Sequence, residues 1–169
     1  MSEFRLPPGF GIANRLVGRL IRWGVPMGSR RTPMALLTVR GRKSGLDRTT
    51  PVAVEVRDDG WILVAVYGVC DWSRNLEAAG VATITLRGRR TPVTAKRLEP
   101  TEAAPVLRDA MARAPRMVRR MTAPYFTADT AAPLEEWAAE AVRHPVFLLT
   151  PVHGSGSTGS GTSATTTQS

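Results

Sequence analysis

Cysteine is almost missing from this chain. Cys70 stands alone among 169 residues, so no internal disulfide forms and a reducing compartment is expected. Only two histidines, His144 and His153, accompany it, too few to build a metal cluster of the usual kind. No run of about 18 uninterrupted apolar residues exists, so no segment reads as a membrane-spanning helix. The first residues lack the charged, apolar and small-residue order of a secretory signal. The expectation is a cytoplasmic protein, with peripheral contact at the inner face of the membrane left open. A recognition helix and an aromatic-studded sheet with basic spacing are also missing, so nucleic acid is not an expected partner.

What is present is a core and a focused charge. Hydrophobic residues make up 43% of the chain, enough for one domain. The net charge is +9. Residues 1–57 hold eleven Lys and Arg against Glu3, Asp47 and Glu55, a net of +8, so the remainder is close to neutral. Such a local excess suits an acidic ligand or an anionic surface.

The excess centres on Gly41-Arg42-Lys43-Ser44-Gly45-Leu46-Asp47-Arg48-Thr49-Thr50-Pro51. The apolar run before it, Ala35 to Val39, reads as a strand, and a second alternating run begins at Pro51. Glycine at two positions permits φ > 0 and close approach of backbone N–H groups to a ligand. Arg42 and Arg48 offer forked donors and Lys43 a point charge, as an anion cradle requires. A solvated Arg- and Gly-rich connection is the alternative. A nucleotide phosphate loop is excluded, because Arg42 occupies the position where that motif needs glycine.

Residues 10–24 predict an amphipathic helix, with Ala13, Leu16, Val17 and Leu20 on one side and Arg15, Arg19 and Arg22 on the other. It packs either on its own domain or on an anionic membrane. Asp58-Asp59-Gly60 predicts a hairpin turn, and Trp61 to Tyr67 a strand buried on both faces. Asp71 is a candidate N-cap for a short helix ending at Gly80. A strand from Val81 to Leu86, a turn at Gly88-Arg89-Arg90 and a strand from Pro92 to Leu98 follow. Helices are expected from Pro100 to Arg113, over 115–122 and from Pro133 to Val142, then a strand from Pro145 to Leu149. The Gly-, Ser- and Thr-rich stretch from His153 onward is expected to be disordered. Hairpin order with peripheral helices describes an α+β domain or small barrel, not a doubly wound parallel sheet. The expected divisions are 1–30 (helix and connector), 31–152 (barrel) and 153–169 (tail).

Three stretches carry a family resemblance: Thr38 to Gly45 with Arg48-Thr49-Thr50-Pro51, Val64-Ala65-Val66-Tyr67-Gly68, and Asp71-Trp72-Ser73-Arg74-Asn75-Leu76. In this order and spacing they resemble the deazaflavin-dependent nitroreductase family, split β-barrel oxidoreductases that use the factor-420 deazaflavin coenzyme. The resemblance implies a split β-barrel fold like that of flavin-mononucleotide barrels. It places Arg42, Lys43, Ser44 and Arg48 on the coenzyme's phosphate and glutamate tail, and Thr50, Pro51 and Val52 beside its ring system or ribityl chain. Tyr67 and Gly68 would edge the pocket, and Trp72 and Asn75 would close it. Two departures stand out: Val69-Cys70-Asp71 is compact, with no cation before Arg74, and Tyr125 is the single tyrosine in the C-terminal half. Tyr125 is either the proton donor to the substrate or an ordinary, partly buried aromatic.

Other residues have plainer readings. Trp72 is a groove wall or a core residue, Cys70 a small pocket-edge residue, Arg89-Arg90 a solvated turn and His144 structural. Met111, Met117 and Met121 are helical core or the lining for an apolar ligand. The function expected is hydride transfer from the reduced coenzyme to a quinone-like, nitro or other conjugated small molecule. The alternative is a non-catalytic carrier of a lipid, a fatty acid or the coenzyme itself. The chain is expected as a monomer or homodimer.

Overall fold

The computed structural model describes residues Gly18, Arg19, Ile21 and 28–152. Six antiparallel strands close into a barrel in the order β1-β2-β3-β6-β5-β4. They are β1 (Met34–Arg40), β2 (Asp47–Arg57), β3 (Gly60–Val64), β4 (Val81–Leu86), β5 (Arg89–Arg97) and β6 (Val146–Pro151). Accompanying them among the described residues are α1 (Asp71–Ala79), α2 (Pro100–Arg113), α3 (Arg116–Thr122) and α4 (Leu134–Arg143), with a 3-10 turn at Ala123–Tyr125. The hairpin signals predict an α+β domain or small barrel, and the family resemblance implies a split barrel; that architecture is the one observed.

Alternation of side chains along each strand puts one set of residues inside the barrel. Leu37, Val39, Val52, Val54, Leu63, Ile84, Val93, Phe147 and Leu149 form that core, and Leu76 of α1 joins them. A second core lies outside the barrel wall. There Ile62 and Val146 meet Ala104, Leu107 and Met111 of α2 and Trp137 and Ala141 of α4. This explains why Trp61 to Ala65 reads as apolar on both faces: β3 serves both cores.

Several boundaries differ from the sequence expectation. β2 starts at Asp47, paired with Arg40, so Arg48, Thr49 and Thr50 are strand residues and the connection is only 41–46. That loop is closed by Gly41 N–H to Leu46 O (2.8 Å) and Gly45 N–H to Gly41 O (2.8 Å). β3 stops at Val64, because Ala65 N–H turns to Pro145 O and Gly68, at φ +83, closes a turn onto Ala65 O. The β4–β5 turn is Arg87-Gly88, both with positive φ, which matches the twist of a tight hairpin. Arg89 and Arg90 therefore belong to β5 rather than to a turn. Met111 is buried, but Met117 and Met121 are 74% and 54% exposed and are not core.

Of the helix expected over 10–24, only Gly18, Arg19 and Ile21 are described, and all three are helical. Ile21 is buried, and Gly18 lies against Leu36 on the outer side of β1. The rest of that helix and the tail from His153 lie outside the described residues. No helix among the described residues is long and apolar enough to cross a membrane.

Candidate functional site

The loop between β1 and β2 is built for close approach. A Cβ at Gly41 would stand 2.9 Å from Ser44 Oγ and 3.1 Å from Leu46 O, and Gly45 has φ +67. Side chains at either position would push the loop open or strain it. Lys43, Ser44 and Arg48 are exposed, and neither cation has a carboxylate within ion-pair distance among the described residues. Ser44 Oγ accepts a long bond from Leu46 N–H (3.4 Å).

Arg42 behaves differently from its neighbours. Its Nη2 reaches Asp71 Oδ1 at 3.2 Å, and its Nη1 donates to Asn75 Oδ1 at 2.8 Å. Its backbone N–H donates to the same Asn75 oxygen at 3.2 Å. Asn75 is buried, so this one carbonyl fastens the loop to the N-terminal turn of α1. Farther along α1, Arg97 of β5 meets Glu77 at 2.8 Å. The helix is thus pinned at two points over the barrel end. Asp71 is not the N-cap: Cys70 precedes the helix, with its N–H donating to Ser73 Oγ (3.0 Å), while the Asp71 carboxylate turns to Arg42.

β-strand parity separates the residues expected beside the coenzyme's ring. Directly paired residues share a face. Thr50 faces Leu37 and Val52 faces Ala35 on the interior side, whereas Pro51 pairs with Leu36 on the outside. Val52 is buried in the barrel core. Trp72 packs on Phe147 (ring centroids 6.1 Å) at the edge of that core, so it plugs the barrel as much as it walls a groove.

Tyr67 and Gly68 lie elsewhere. The Tyr67 ring meets Tyr125 edge-on, with centroids 5.4 Å apart and planes at 85°. Gly68 faces the last turn of α4, its Cβ position 3.5 Å from Arg143 O. Tyr125 ends the 3-10 turn, and its carbonyl is 2.9 Å from His144 Nε2. The other ring nitrogen, Nδ1, is 3.1 Å from Ala65 O. His144 is buried and stacks on Phe126 at 4.0 Å. Beside it, Glu140 Oε1 accepts from Thr127 N–H (2.7 Å) and Ala128 N–H (3.0 Å) and pairs with Arg143 (2.6 Å). Burial acts to raise the Glu140 carboxyl, but the bonds from Thr127 and Ala128 and the charge of Arg143 outweigh it and hold it below its ordinary 4.5.

The residues singled out from sequence therefore fall into two groups. Arg42, Lys43, Ser44, Arg48, Asp71 and Asn75 gather at the loop and α1; Tyr67, Gly68 and Tyr125 gather against α4. The connection from Ala65 to Cys70 joins them. Sequence reasoning assigned no site role to His144 and did not single out Glu140. The four-residue spacing Glu140 to His144 was the available signal, since it puts both on one helix face. A groove of about 330 Å³ on the outer wall, bordered by Thr38, Arg40, Asp47, Thr83, Arg90 and Pro92, was also not anticipated. Its signal lay in residues of the same strand parity, visible only once β1 is known to neighbour β4.

The loop's donor set, two unpaired cations beside a hydroxyl and two glycines, fits a phosphate-bearing coenzyme. Comparison with known proteins gives it a name. A solved structure of FDR-A, an F420-H2 dependent reductase, is 20% identical over 71% of this chain and 94% of its own, with a TM-score of 0.41. HutZ, described as a heme storage protein from Vibrio cholerae, is 14% identical over 74% of this chain and 84% of its own, at 0.44. Atu2129 from Agrobacterium tumefaciens, of unknown function, is 18% identical over 89% of this chain and 58% of its own, at 0.46. These three overlap loosely in space and leave the assignment to the family comparison. No curated protein matches the chain. The family model described as F420H(2)-dependent quinone reductase matches residues 18–124, which include the loop, Tyr67 and α1 but stop one residue before Tyr125. With well over half its length matched, the chain belongs to the F420H(2)-dependent quinone reductase family and is an F420-dependent reductase of the split-barrel type.

Proposed function

We propose that Lys43, Ser44 and Arg48 hold the phosphate of F420 and that a quinone-like acceptor is reduced against Tyr67 and Tyr125. The observation that carries this reading is the contrast within one loop. Arg42 is committed to Asp71 and Asn75, while Lys43 and Arg48, just after the loop, are exposed with no carboxylate in ion-pair distance among the described residues. Arg42 thereby acts on the coenzyme indirectly: it fixes the loop to α1 and presents the other donors. Thr50, on the interior side of β2, and Asn75 with Trp72, on α1, would border the ring system. Pro51 and Val52 support these positions from the outer wall and the core.

When bound, the reduced coenzyme supplies a hydride, two electrons with one proton. The quinone needs one further proton to become a quinol. Tyr125 is 37% exposed beside Tyr67, and its phenol donates that proton to the acceptor oxygen and recovers one from water. The aromatic pair also offers a face for a planar acceptor. Met117 and Met121, exposed on α3 just before the 3-10 turn, suit its apolar substituents. The protein's own work is then to bind, orient and shield.

A fluorescence titration with oxidised F420, run beside free flavin mononucleotide, tests the coenzyme half. Binding weakened by both Lys43→Ala and Arg48→Ala supports it; affinity untouched by both overturns it. For the acceptor half, oxidation of the reduced coenzyme by a soluble quinone is followed in wild type and Tyr125→Phe. A turnover number unaffected by the loss of the phenol removes Tyr125 from the mechanism.

A further inference from the structure

We propose that His144 is a positioning residue for the acceptor pocket: it clamps together the two segments that carry Tyr67 and Tyr125 and so sets how the two rings meet. This rests on the acceptor reading given above and adds the device that holds the two tyrosines in register. His144 and its partners on α4 lie beyond the residues matched by the family model.

The ring bridges two otherwise separate pieces of chain. Nδ1 lies 3.1 Å from the carbonyl of Ala65, two residues before Tyr67. Nε2 lies 2.9 Å from the carbonyl of Tyr125 itself. The segments meet again at the edge-on contact of the two phenol rings. His144 is 2% exposed and stacked on Phe126, so it has little freedom to swing away. One imidazole thus sets where both tyrosine-bearing backbones sit.

Hydrogen-bond chemistry explains the bridge: a carbonyl oxygen only accepts, so the ring ties a segment down through a nitrogen that donates to it. Glu140, one turn earlier on α4, places Oε2 3.5 Å from Nε2, and this oxygen is the one buried side-chain acceptor among the described residues without a hydrogen-bond partner. Arg143 engages the far oxygen, Oε1, and so leaves Oε2 beside the ring. From the other elements the ring meets the two carbonyls and the apolar face of Phe126. Without the ring, the Tyr67 and Tyr125 segments lose the side chain that contacts both backbones.

Two measurements on the full-length protein decide the matter. In His144→Ala, hydrogen exchange of the Pro124 to Thr127 segment and of the Ala65 to Gly68 segment should speed up relative to wild type. In parallel, the KM of that variant for a soluble quinone, measured with reduced F420, should rise roughly tenfold, while F420 affinity stays within about twofold of wild type. His144→Gln, which keeps a donor, should recover part of both losses. Unchanged exchange in both segments overturns the clamp, as does a quinone KM that stays at the wild-type value in His144→Ala. If Tyr67→Ala and Tyr125→Ala leave the quinone KM unchanged, the acceptor reading fails instead, and the exchange rates still decide whether His144 clamps the two segments.

Discussion

Lys43 in the loop between β1 and β2 and Arg48 at the start of β2 stand exposed without a carboxylate partner among the described residues, whereas Glu140 and His144 are 1% and 2% exposed and face one another. Both are charged clusters, yet their surroundings assign them opposite tasks. Exposed cations are already solvated, so they contribute little to folding and are available to an anionic ligand. Buried charges have been stripped of water, so the fold must supply every partner they keep. Arg42 is intermediate: it sits in the exposed loop but is turned inward onto Asp71 and the buried Asn75. The comparison teaches that position in a basic run does not decide a cation's role; the nearest fixed acceptor does.

The largest test of this contrast removes the buried anion. Glu140→Ala strips the acceptor from Thr127 and Ala128 N–H and leaves Arg143 without a counter-charge, so unfolding in denaturant should reveal a loss of about 3–5 kcal/mol. A loss below about 1 kcal/mol would mean that water replaces the carboxylate, and the two clusters would then differ less than their burial says. Next comes Asn75→Ala, which orphans the Arg42 N–H and leaves its guanidinium held by Asp71 alone. A destabilisation of about 1–3 kcal/mol is expected, with looser coenzyme binding because the loop is no longer held to α1. If stability falls and affinity does not, Arg42 plays no part in presenting the cradle.

Smaller again are Lys43→Ala and Arg48→Ala. Each should weaken F420 binding about tenfold, roughly 1.4 kcal/mol, while shifting stability by less than about 0.5 kcal/mol. A fall in unfolding midpoint without a fall in affinity would reverse the assignment. The smallest effect is acid sensitivity. The folded Glu140 carboxyl is held below 4.5, so the folded state favours its ionised form. The stability this contributes is present above the unfolded value and is lost as pH falls from about 4.5 through the lower folded value. Glu140→Gln should flatten the stability profile in that window, and an unchanged slope would assign the acid loss to other carboxylates.

Much of the fold was legible because it is written locally. Asp58-Asp59 before Gly60 marks a hairpin in any context, Gly80 at φ +64 ends α1 as its position suggested, and the strand alternation in β2 follows from one face being buried. The composition of the loop proposed as an anion cradle was legible too, since its glycines and cations are properties of the residues themselves. The ends of β2 and β3 were not. Arg48 to Thr50 extend as a strand because β1 offers them a register, and Tyr67 leaves β3 because Ala65 turns to Pro145. Both causes are partners distant in sequence.

The sequence by itself determined the barrel's strands and the class of fold, and it singled out the basic loop that we propose meets the coenzyme's phosphate. These depend on periodicity, turn chemistry and charge, which act over a few residues. Only the tertiary structure decided which cation is committed and which is available, that Met117 and Met121 face outward, and that Tyr67 and Tyr125 meet over a buried His144. Those outcomes turn on which distant acceptor each group reaches when the barrel closes, and burial then fixes the energetic consequence.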